Sequence, residues 1–155
     1  MNPTTRYVIE AVYPAAALLL PPAMNTPAAW RMLTAIGLQE SRFRHRAQVL
    51  GPARGFWQFE IAGVTGVLRH GASRDAAAAV LDRLRYADTS PQKIHAALEH
   101  NDVLAACFAR LLLWTDPRPL PTTATDGWAH YLATWRPGKP HPQTWALFFE
   151  AAGVE

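Results

Sequence analysis

The chain has 155 residues, of which half are hydrophobic and 17% are charged. This length favours one domain, since domains of roughly 100–150 residues are the commonest, and the composition excludes a disordered chain. The net charge of +3 is a mild basic bias, and the scattered Lys and Arg residues form no nucleic-acid-binding pattern. The single cysteine, Cys107, excludes an intrachain disulfide. We therefore expect one domain over 1–155, a monomer suited to an anionic partner other than nucleic acid.

Nearly every segment carries the hydrophobic spacing of a helix. In chain order, the pattern predicts helices over 4–13, ended by a break at Pro14, and then over 14–20, 27–41, 60–71, 73–86, 90–100, 101–114, 125–135 and 142–152. The expected N-caps are Thr26, Ser73 and either Asn101 or Asp102. Apolar residues are densest in 101–114, which we expect to be a central buried helix. The sequence thus predicts an all-α domain of seven to nine helices.

The most apolar stretch, "AAALLL" at 15–20, is too short to span a bilayer. No basic segment leads into it, so it does not have the pattern of a signal peptide. We therefore expect synthesis in a cytoplasm, without a signal peptide and without insertion into a membrane.

One glutamate continues the apolar stripe of the helix predicted over 27–41. Ala29, Leu33, Ile36 and Glu40 are separated by steps of four, three and four residues, which places them on one helix face. Burial would raise the pKa of the Glu40 carboxyl, and a carboxyl that is protonated near neutral pH can act as a general acid. The alternative is a solvated glutamate in a frayed last turn.

The loop "GPARGFWQFE" at 51–60 follows this helix. Gly55 permits a turn with positive φ close to a ligand. Phe56, Trp57 and Phe59 could form an aromatic floor for a sugar chain, and Gln58 could hydrogen-bond its amides or hydroxyls. The alternative is that the aromatic side chains belong to the core and hold the loop in place.

Three blocks together resemble the active-site signature of soluble lytic transglycosylases and goose-type lysozymes. "QESRF" matches the Glu-Ser-x-Phe pattern of that family, and "ARGFWQFE" matches its loop ending in Gly-Leu-Met-Gln, with Gln58 lying 18 residues after Glu40. "LATWRPGKP" at 132–140 is similar to the Leu-Ala-x-Tyr-Asn-x-Gly segment. The blocks occur in family order, and the resemblance implies a lysozyme-like helical fold.

The resemblance also implies roles for individual residues. Glu40 would be the single catalytic acid and base. Ser41 would hold the turn or contact the sugar, and Phe56, Trp57 and Gln58 would line the cleft. Neither a cofactor nor a metal is implied.

The chain departs from the family pattern at three positions. Trp57 stands where methionine is usual. Trp135 and Arg136, which would contact the substrate in the cleft, stand where the family has tyrosine and asparagine. The family tyrosine offers a hydroxyl near the catalytic acid, which an indole cannot replace as an acceptor. Tyr131, one helical turn earlier, is the residue that could supply this hydroxyl.

The reaction implied by the resemblance is cleavage of the β-1,4 bond between N-acetylmuramic acid and N-acetylglucosamine in peptidoglycan, with assistance from the N-acetyl group of the substrate. The setting would be phage lysis through a holin-dependent route, or a virion-borne enzyme acting in the periplasm or cell wall. Glu60 leaves open a lysozyme-like or chitinase-like hydrolase with a second carboxylate, although an acid in the first turn of a helix is the alternative. A non-catalytic glycan-binding or virion structural module on a degenerate lysozyme fold also stays open.

A group of basic residues follows Glu40 and has two interpretations. It is a solvated loop start, or it contacts the carboxylates of muramyl lactyl groups and stem peptides; its members are Arg42, Arg44, His45 and Arg46. The six histidines form no H-E-x-x-H pattern or Cys/His ligand set, so no metal site is predicted.

Overall fold

Helices make up the regular secondary structure of residues 1–153, the part of the chain that the computed structural model describes. In chain order they are α1 (Pro3–Tyr7), a π-helical turn (Val8–Val12), α2 (Tyr13–Leu19), a 3-10 turn (Pro22–Met24), α3 (Pro27–Glu40), α4 (Ile61–Arg69), α5 (Arg74–Arg83), α6 (Pro91–Ala97), α7 (Asp102–Trp114), α8 (Ala124–Trp135) and α9 (Pro142–Ala151). Among these residues no strand forms, and Arg54 makes isolated bridges to Ala47 and Phe59. The all-α prediction is confirmed.

The predicted break at Pro14 is wrong, because the chain stays helical from Pro3 to Leu19. The hydrogen-bond register widens just before the proline, where the backbone N–H of Tyr13 donates to the carbonyl of Val8. Pro14 has no N–H to donate, and a π-turn lets a helix continue past an irregular hydrogen bond. The two short helices predicted here therefore form one continuous rod.

Two of the three predicted helix caps are confirmed. Thr26 and Asn101 each accept a hydrogen bond from the backbone N–H three residues later, at 3.2 and 3.0 Å, so Asn101 rather than Asp102 caps α7. Ser73 does occupy the N-cap position of α5, but its side chain makes no capping hydrogen bond. Its buried hydroxyl donates to the carbonyl of Val67 at 2.7 Å and ties the start of α5 to the end of α4.

The central helix of the core is α7, as predicted. Every residue from Leu104 to Leu111 is buried, and so is Leu113. It packs against α2, α3, α4 and α5, and α3 packs in turn against α9. Because α3 is packed on both α7 and α9, its last turn is held by the core rather than left to fray.

The chain reverses sharply after α3. Arg42 and Phe43 have φ values of 53° and 52°, and the Phe43 ring folds back onto α3 and is 1% exposed. A Cβ at Gly37 would lie 2.2 Å from that ring, so only glycine permits this approach. The reversal ends α3 at Glu40 and directs the 41–60 loop back along the core.

Candidate active site

Glu40 is the last residue of α3, and its carboxyl group meets a buried tyrosine of α8. The hydroxyl of Tyr131 donates a hydrogen bond to Glu40 Oε1 at 2.6 Å. The Glu40 side chain is partly buried and faces the cleft, while Tyr131 is 2% exposed. The predicted stripe on α3 is thus confirmed, and Tyr131 supplies the hydroxyl that Trp135 cannot.

The surroundings of Glu40 favour its protonated form. Burial raises the pKa of this carboxyl from 4.5 to about 7, and the negative charge of Glu60 adds to the rise, while the hydrogen bond from Tyr131 opposes it. Burial and the neighbouring Glu40 raise the pKa of Tyr131, so its hydroxyl stays a donor throughout the physiological range. Glu40 therefore titrates near neutral pH, the range in which a carboxyl group can both give and take a proton.

The pair lies in the wall of a cleft of about 890 Å³. The size falls within the range of small-molecule and cofactor sites, roughly 300–1,000 Å³. Its lining comes from α3, the 41–60 loop, α4, α8 and the loop after α8. The polar and aromatic residues among it include Gln39, Glu40, His45, Gln58, Phe59, Glu60, His70, Tyr131, Trp135, Arg136, Lys139 and His141. The cleft thus combines two carboxyl groups with several cationic or titratable nitrogens.

Ser41 holds the turn and does not face a ligand. Its hydroxyl donates to the carbonyl of Phe56 at 2.7 Å and accepts from the backbone N–H of Phe43 at 3.1 Å. The residue is 6% exposed. Of the two roles that the resemblance implies, the structure therefore supports the first, a hydrogen bond that fixes the loop to the end of α3.

Phe56 and Trp57 do not line the cleft, so that part of the prediction is wrong. Both side chains are fully buried, and the Trp57 indole N–H donates to the carbonyl of Leu33 at 2.8 Å. Their rings pack edge-to-face with Phe43 at centroid distances of 5.5 and 5.7 Å. Burying such large apolar surfaces is strongly favourable, and here it fixes the loop to the core. Of the three aromatics, only Phe59 reaches the cleft wall.

The polar residues of the same loop do reach the cleft. Gln58 lines it with a φ of 49° and donates its side-chain amide to the carbonyl of Gly55 at 2.9 Å. Gly55 has the predicted positive φ of 76°, but it is buried against the backbone of Leu98 rather than a ligand. Glu60 lines the cleft from the N-cap position of α4 and is exposed.

Trp135 and Arg136 both border the cleft, with different environments. The indole N–H of Trp135 donates to the carbonyl of Trp57 at 2.9 Å, so α8 is fastened to the 41–60 loop. Arg136 ends α8 in the left-handed conformation, with a φ of 48°, and is exposed. Both residues therefore line the cleft, as the resemblance implies, and the Trp135 indole also holds the 41–60 loop in place.

The basic group after Glu40 divides between two environments. Arg46 pairs with Asp102 at 2.8 and 2.9 Å and lies 4.2 Å from the centroid of the Phe56 ring, outside the cleft. Among the four basic residues, only His45 lines the cleft. The carboxylate-binding role considered for this group therefore has little support at Arg46.

Several cleft residues were not among the predicted site residues. Gln39 donates its side-chain amide to the carbonyl of His141 at 2.9 Å and accepts from the hydroxyl of Thr144 at 3.0 Å. Its place directly before Glu40 was the one sequence hint. Lys139 lies inside the third block but its role was not foreseen, and His70 and His141 stand outside all three blocks.

Comparisons of the chain with models of protein families, with curated proteins and with solved structures give no match. The resemblance to lytic transglycosylases thus stays a prediction from three short blocks. Within residues 1–153, no group of three or more His, Cys, Asp or Glu side chains is arranged to hold a metal ion. None of the helices described is both long and apolar enough to cross a membrane.

Proposed function

We propose that this protein cleaves the β-1,4 bond between N-acetylmuramic acid and N-acetylglucosamine in peptidoglycan, with Glu40 as general acid and then base. The observation that carries the proposal is the pair of Glu40 and Tyr131. A carboxyl group with a pKa near 7 lies in the wall of a cleft and accepts a 2.6 Å hydrogen bond from a phenol. The order of the three sequence blocks supports the substrate class. We assign the reaction to the bacterial cell wall, during phage lysis or wall penetration.

In the proposed reaction, protonated Glu40 gives its proton to the glycosidic oxygen as the bond to the anomeric carbon breaks. The electron pair of that bond goes to the leaving oxygen, and the N-acetyl carbonyl of the substrate attacks the anomeric carbon. The hydrogen bond from Tyr131 favours the carboxylate that remains, because it stabilises the charged form. Glu40 then takes the proton of the sugar's 6-hydroxyl while that oxygen attacks the anomeric carbon. The bond between the anomeric carbon and the N-acetyl oxygen breaks, its electron pair restores the amide, and the product is a 1,6-anhydro sugar.

A second candidate reaction is simple hydrolysis, and Glu60 is the observation that favours it. Its carboxylate lines the same cleft as Glu40. Most glycosidases use two carboxyl groups, one as acid and the other as base or nucleophile. In that reaction Glu60 would activate a water molecule or attack the anomeric carbon, and the product would gain one water.

Mass spectrometry of the products from purified peptidoglycan distinguishes these reactions. Wild type and Glu40→Gln are incubated in parallel under identical conditions. We expect anhydro-muramyl fragments from the wild type alone. Fragments heavier by one water would favour hydrolysis and the role of Glu60. Equal release by Glu40→Gln would exclude Glu40 as the acid, and tight binding of the wall with no fragments would favour the non-catalytic alternative.

A further inference from the structure

The loop after α8 brings two cations to the cleft. We call residues 136–141 the cationic loop; Arg136 and Lys139 are both exposed and both line the cleft. Neither side chain forms an ion pair with any residue of 1–153. The Arg136 guanidinium makes one long hydrogen bond, from Nε to the carbonyl of Ala133 at 3.4 Å. Most of its donors therefore point to the cleft or to solvent.

Both ends of the cationic loop are fastened to the elements that build the site. Before the loop, the Trp135 indole is hydrogen-bonded to the carbonyl of Trp57 at 2.9 Å. At its far end, the carbonyl of His141 accepts from the side chain of Gln39 at 2.9 Å, and Gln39 is the residue next to Glu40. The loop that carries the two cations is thus tied at both ends to the elements that line the cleft with Glu40.

The charge of the cleft favours an anionic ligand. The acids in its lining are Glu40 and Glu60, and the fixed cations are Arg136 and Lys139. With Glu40 protonated, as its role as an acid requires, one carboxylate faces two cations. A cleft with an excess of one sign raises the local concentration of ligands of the opposite sign. A neutral sugar polymer gains nothing from this arrangement, whereas a polymer that carries carboxylates does.

We propose that Arg136 and Lys139 form a carboxylate-binding subsite that selects glycan strands bearing lactyl-linked peptide carboxylates over neutral strands of the same backbone. This inference rests on the proposed function and adds what the site recognises. A guanidinium binds a carboxylate through two parallel hydrogen bonds, and an ammonium binds it as a compact charge. Arg136 and Lys139 are therefore specificity-determining residues and take no part in the proton transfers of Glu40.

Binding to purified peptidoglycan sacculi tests the subsite without requiring turnover. The parent protein carries Glu40→Gln, so that the sacculi stay intact. The test variant adds Arg136→Gln and Lys139→Gln. The matched control adds Arg85→Gln and Lys93→Gln. Both residues are exposed and lie outside the cleft, and the two substitutions remove the same net charge as those in the test variant. Arg85 also shares the positive φ of Arg136, at 64° against 48°.

We expect the dissociation constant of the test variant to rise by roughly 10-fold or more, as for the loss of charge-assisted hydrogen bonds. The control should stay within about 2-fold of the parent. A variant with Arg136→Lys and Lys139→Arg should recover most of the binding. Amidation of the sacculi neutralises their carboxylates without any substitution in the cationic loop. The parent should bind amidated sacculi as weakly as the test variant binds intact sacculi.

Three results would overturn the subsite: equal loss in test and control, unchanged binding of the parent to amidated sacculi, or no binding of the parent to intact sacculi. Turnover by the wild type separates this inference from the proposed reaction. If the wild type cleaves peptidoglycan while the test variant binds like the parent, the subsite fails alone. If the wild type cleaves nothing while binding depends on the cationic loop, the reaction fails and the subsite stands.

Discussion

The end of α3 and the start of α4 each place a glutamate in the same cleft, and the two regions differ in what surrounds the carboxyl group. Glu40 is partly buried and accepts a hydrogen bond from Tyr131 at 2.6 Å. Glu60 is exposed, and its side chain makes no capping hydrogen bond in α4. Burial raises the pKa of Glu40 to about 7. The hydrogen bond from Tyr131 opposes this rise, so burial, rather than the partner on α8, gives Glu40 a pKa near neutral pH.

Helix direction reinforces this difference. Glu40 lies at the C-terminal end of α3, where the helix dipole leaves partial negative charge and disfavours a carboxylate. Glu60 lies at the N-terminal end of α4, where the partial positive charge favours one. The two carboxyl groups thus lie at opposite ends of their helix dipoles.

The first prediction concerns turnover. Glu40→Gln should lower the rate of glycan release by roughly 10²–10⁴-fold, because a general acid contributes that much and an amide has no proton of suitable acidity. Glu60→Gln should stay within about 3-fold of the wild type, since in the proposed substrate-assisted reaction its carboxylate serves as neither acid nor base. Release of reducing sugars from purified peptidoglycan measures both. A loss of similar size in Glu60→Gln would contradict the comparison and support the two-carboxylate hydrolase.

The second prediction concerns stability. The pKa of Glu40 is about 7 in the fold against an ordinary value of 4.5, so the folded state binds more protons between these two pH values and stability falls as pH rises. Above pH 7 the ionised group costs at most about 3 kcal/mol. Glu40→Gln removes this cost and keeps an acceptor for Tyr131. Its free energy of unfolding should exceed that of the wild type at pH 8, while the two should agree at pH 4.

Urea unfolding at both pH values checks the second prediction, with Glu60→Gln as the matched control. Glu60 is exposed and adds to the raised pKa of Glu40 less than burial does, so this control should unfold like the wild type at pH 4 and gain much less stability than Glu40→Gln at pH 8. If Glu40→Gln were no more stable than the wild type at pH 8, Glu40 would be ionised in the fold without cost. The explanation of its raised pKa by burial would then be lost.

Much of the fold could be predicted from the sequence because its signals are local. The steps of four, three and four residues that lead to Glu40 mark one helix face, and the caps Thr26 and Asn101 form within three residues. The predicted break at Pro14 was wrong because a wider π-helical turn before the proline lets the helix continue. No residue type in the sequence indicates such a turn. Ser73 stands at the predicted N-cap position, but its hydroxyl donates to the carbonyl of Val67 and makes no capping hydrogen bond.

The site was predicted less completely, since side-chain direction depends on distant contacts. The sequence singled out Glu40, and Tyr131 entered as a substitute hydroxyl, but nothing local shows that the two meet across 91 residues. Phe56 and Trp57 look the same in sequence whether they line a cleft or fill a core. Here the core was able to bury both rings, and the polar Gln58 was left to face the cleft.

The third prediction removes the partner of Glu40. Tyr131→Phe deletes the hydrogen bond that lowers the pKa of Glu40, so the pKa should rise further and the carboxylate formed by proton donation should lose support. Loss of a hydrogen bond to a charged group predicts a fall in kcat/KM of roughly 10–100-fold. The alkaline limb of the pH–rate profile should move to higher pH, which a purely structural defect would not cause.

Tyr13→Phe is the matched control for the third prediction. Tyr13 is also buried, at 4% exposed, and its hydroxyl hydrogen-bonds Thr34 at 3.0 Å, away from the cleft. Both variants lose one buried phenolic hydroxyl, so they should lose similar stability. Only Tyr131→Phe should change the pH dependence. A shared shift in both profiles would trace the effect to general loosening of the fold rather than to Glu40.

The fourth prediction is the smallest and concerns the influence of one glutamate on the other. The charge of Glu60 contributes to the raised pKa of Glu40, after burial, so Glu60→Gln should move the alkaline midpoint of activity down while leaving the maximal rate nearly unchanged. Glu60 is exposed, and salt screens such interactions within a Debye length of about 10 Å at 0.1 M and about 3 Å at 1 M. The shift should therefore fade between low and high salt. A shift that persisted at 1 M salt would mean that Glu60 acts on Glu40 through a closer contact than the open cleft provides.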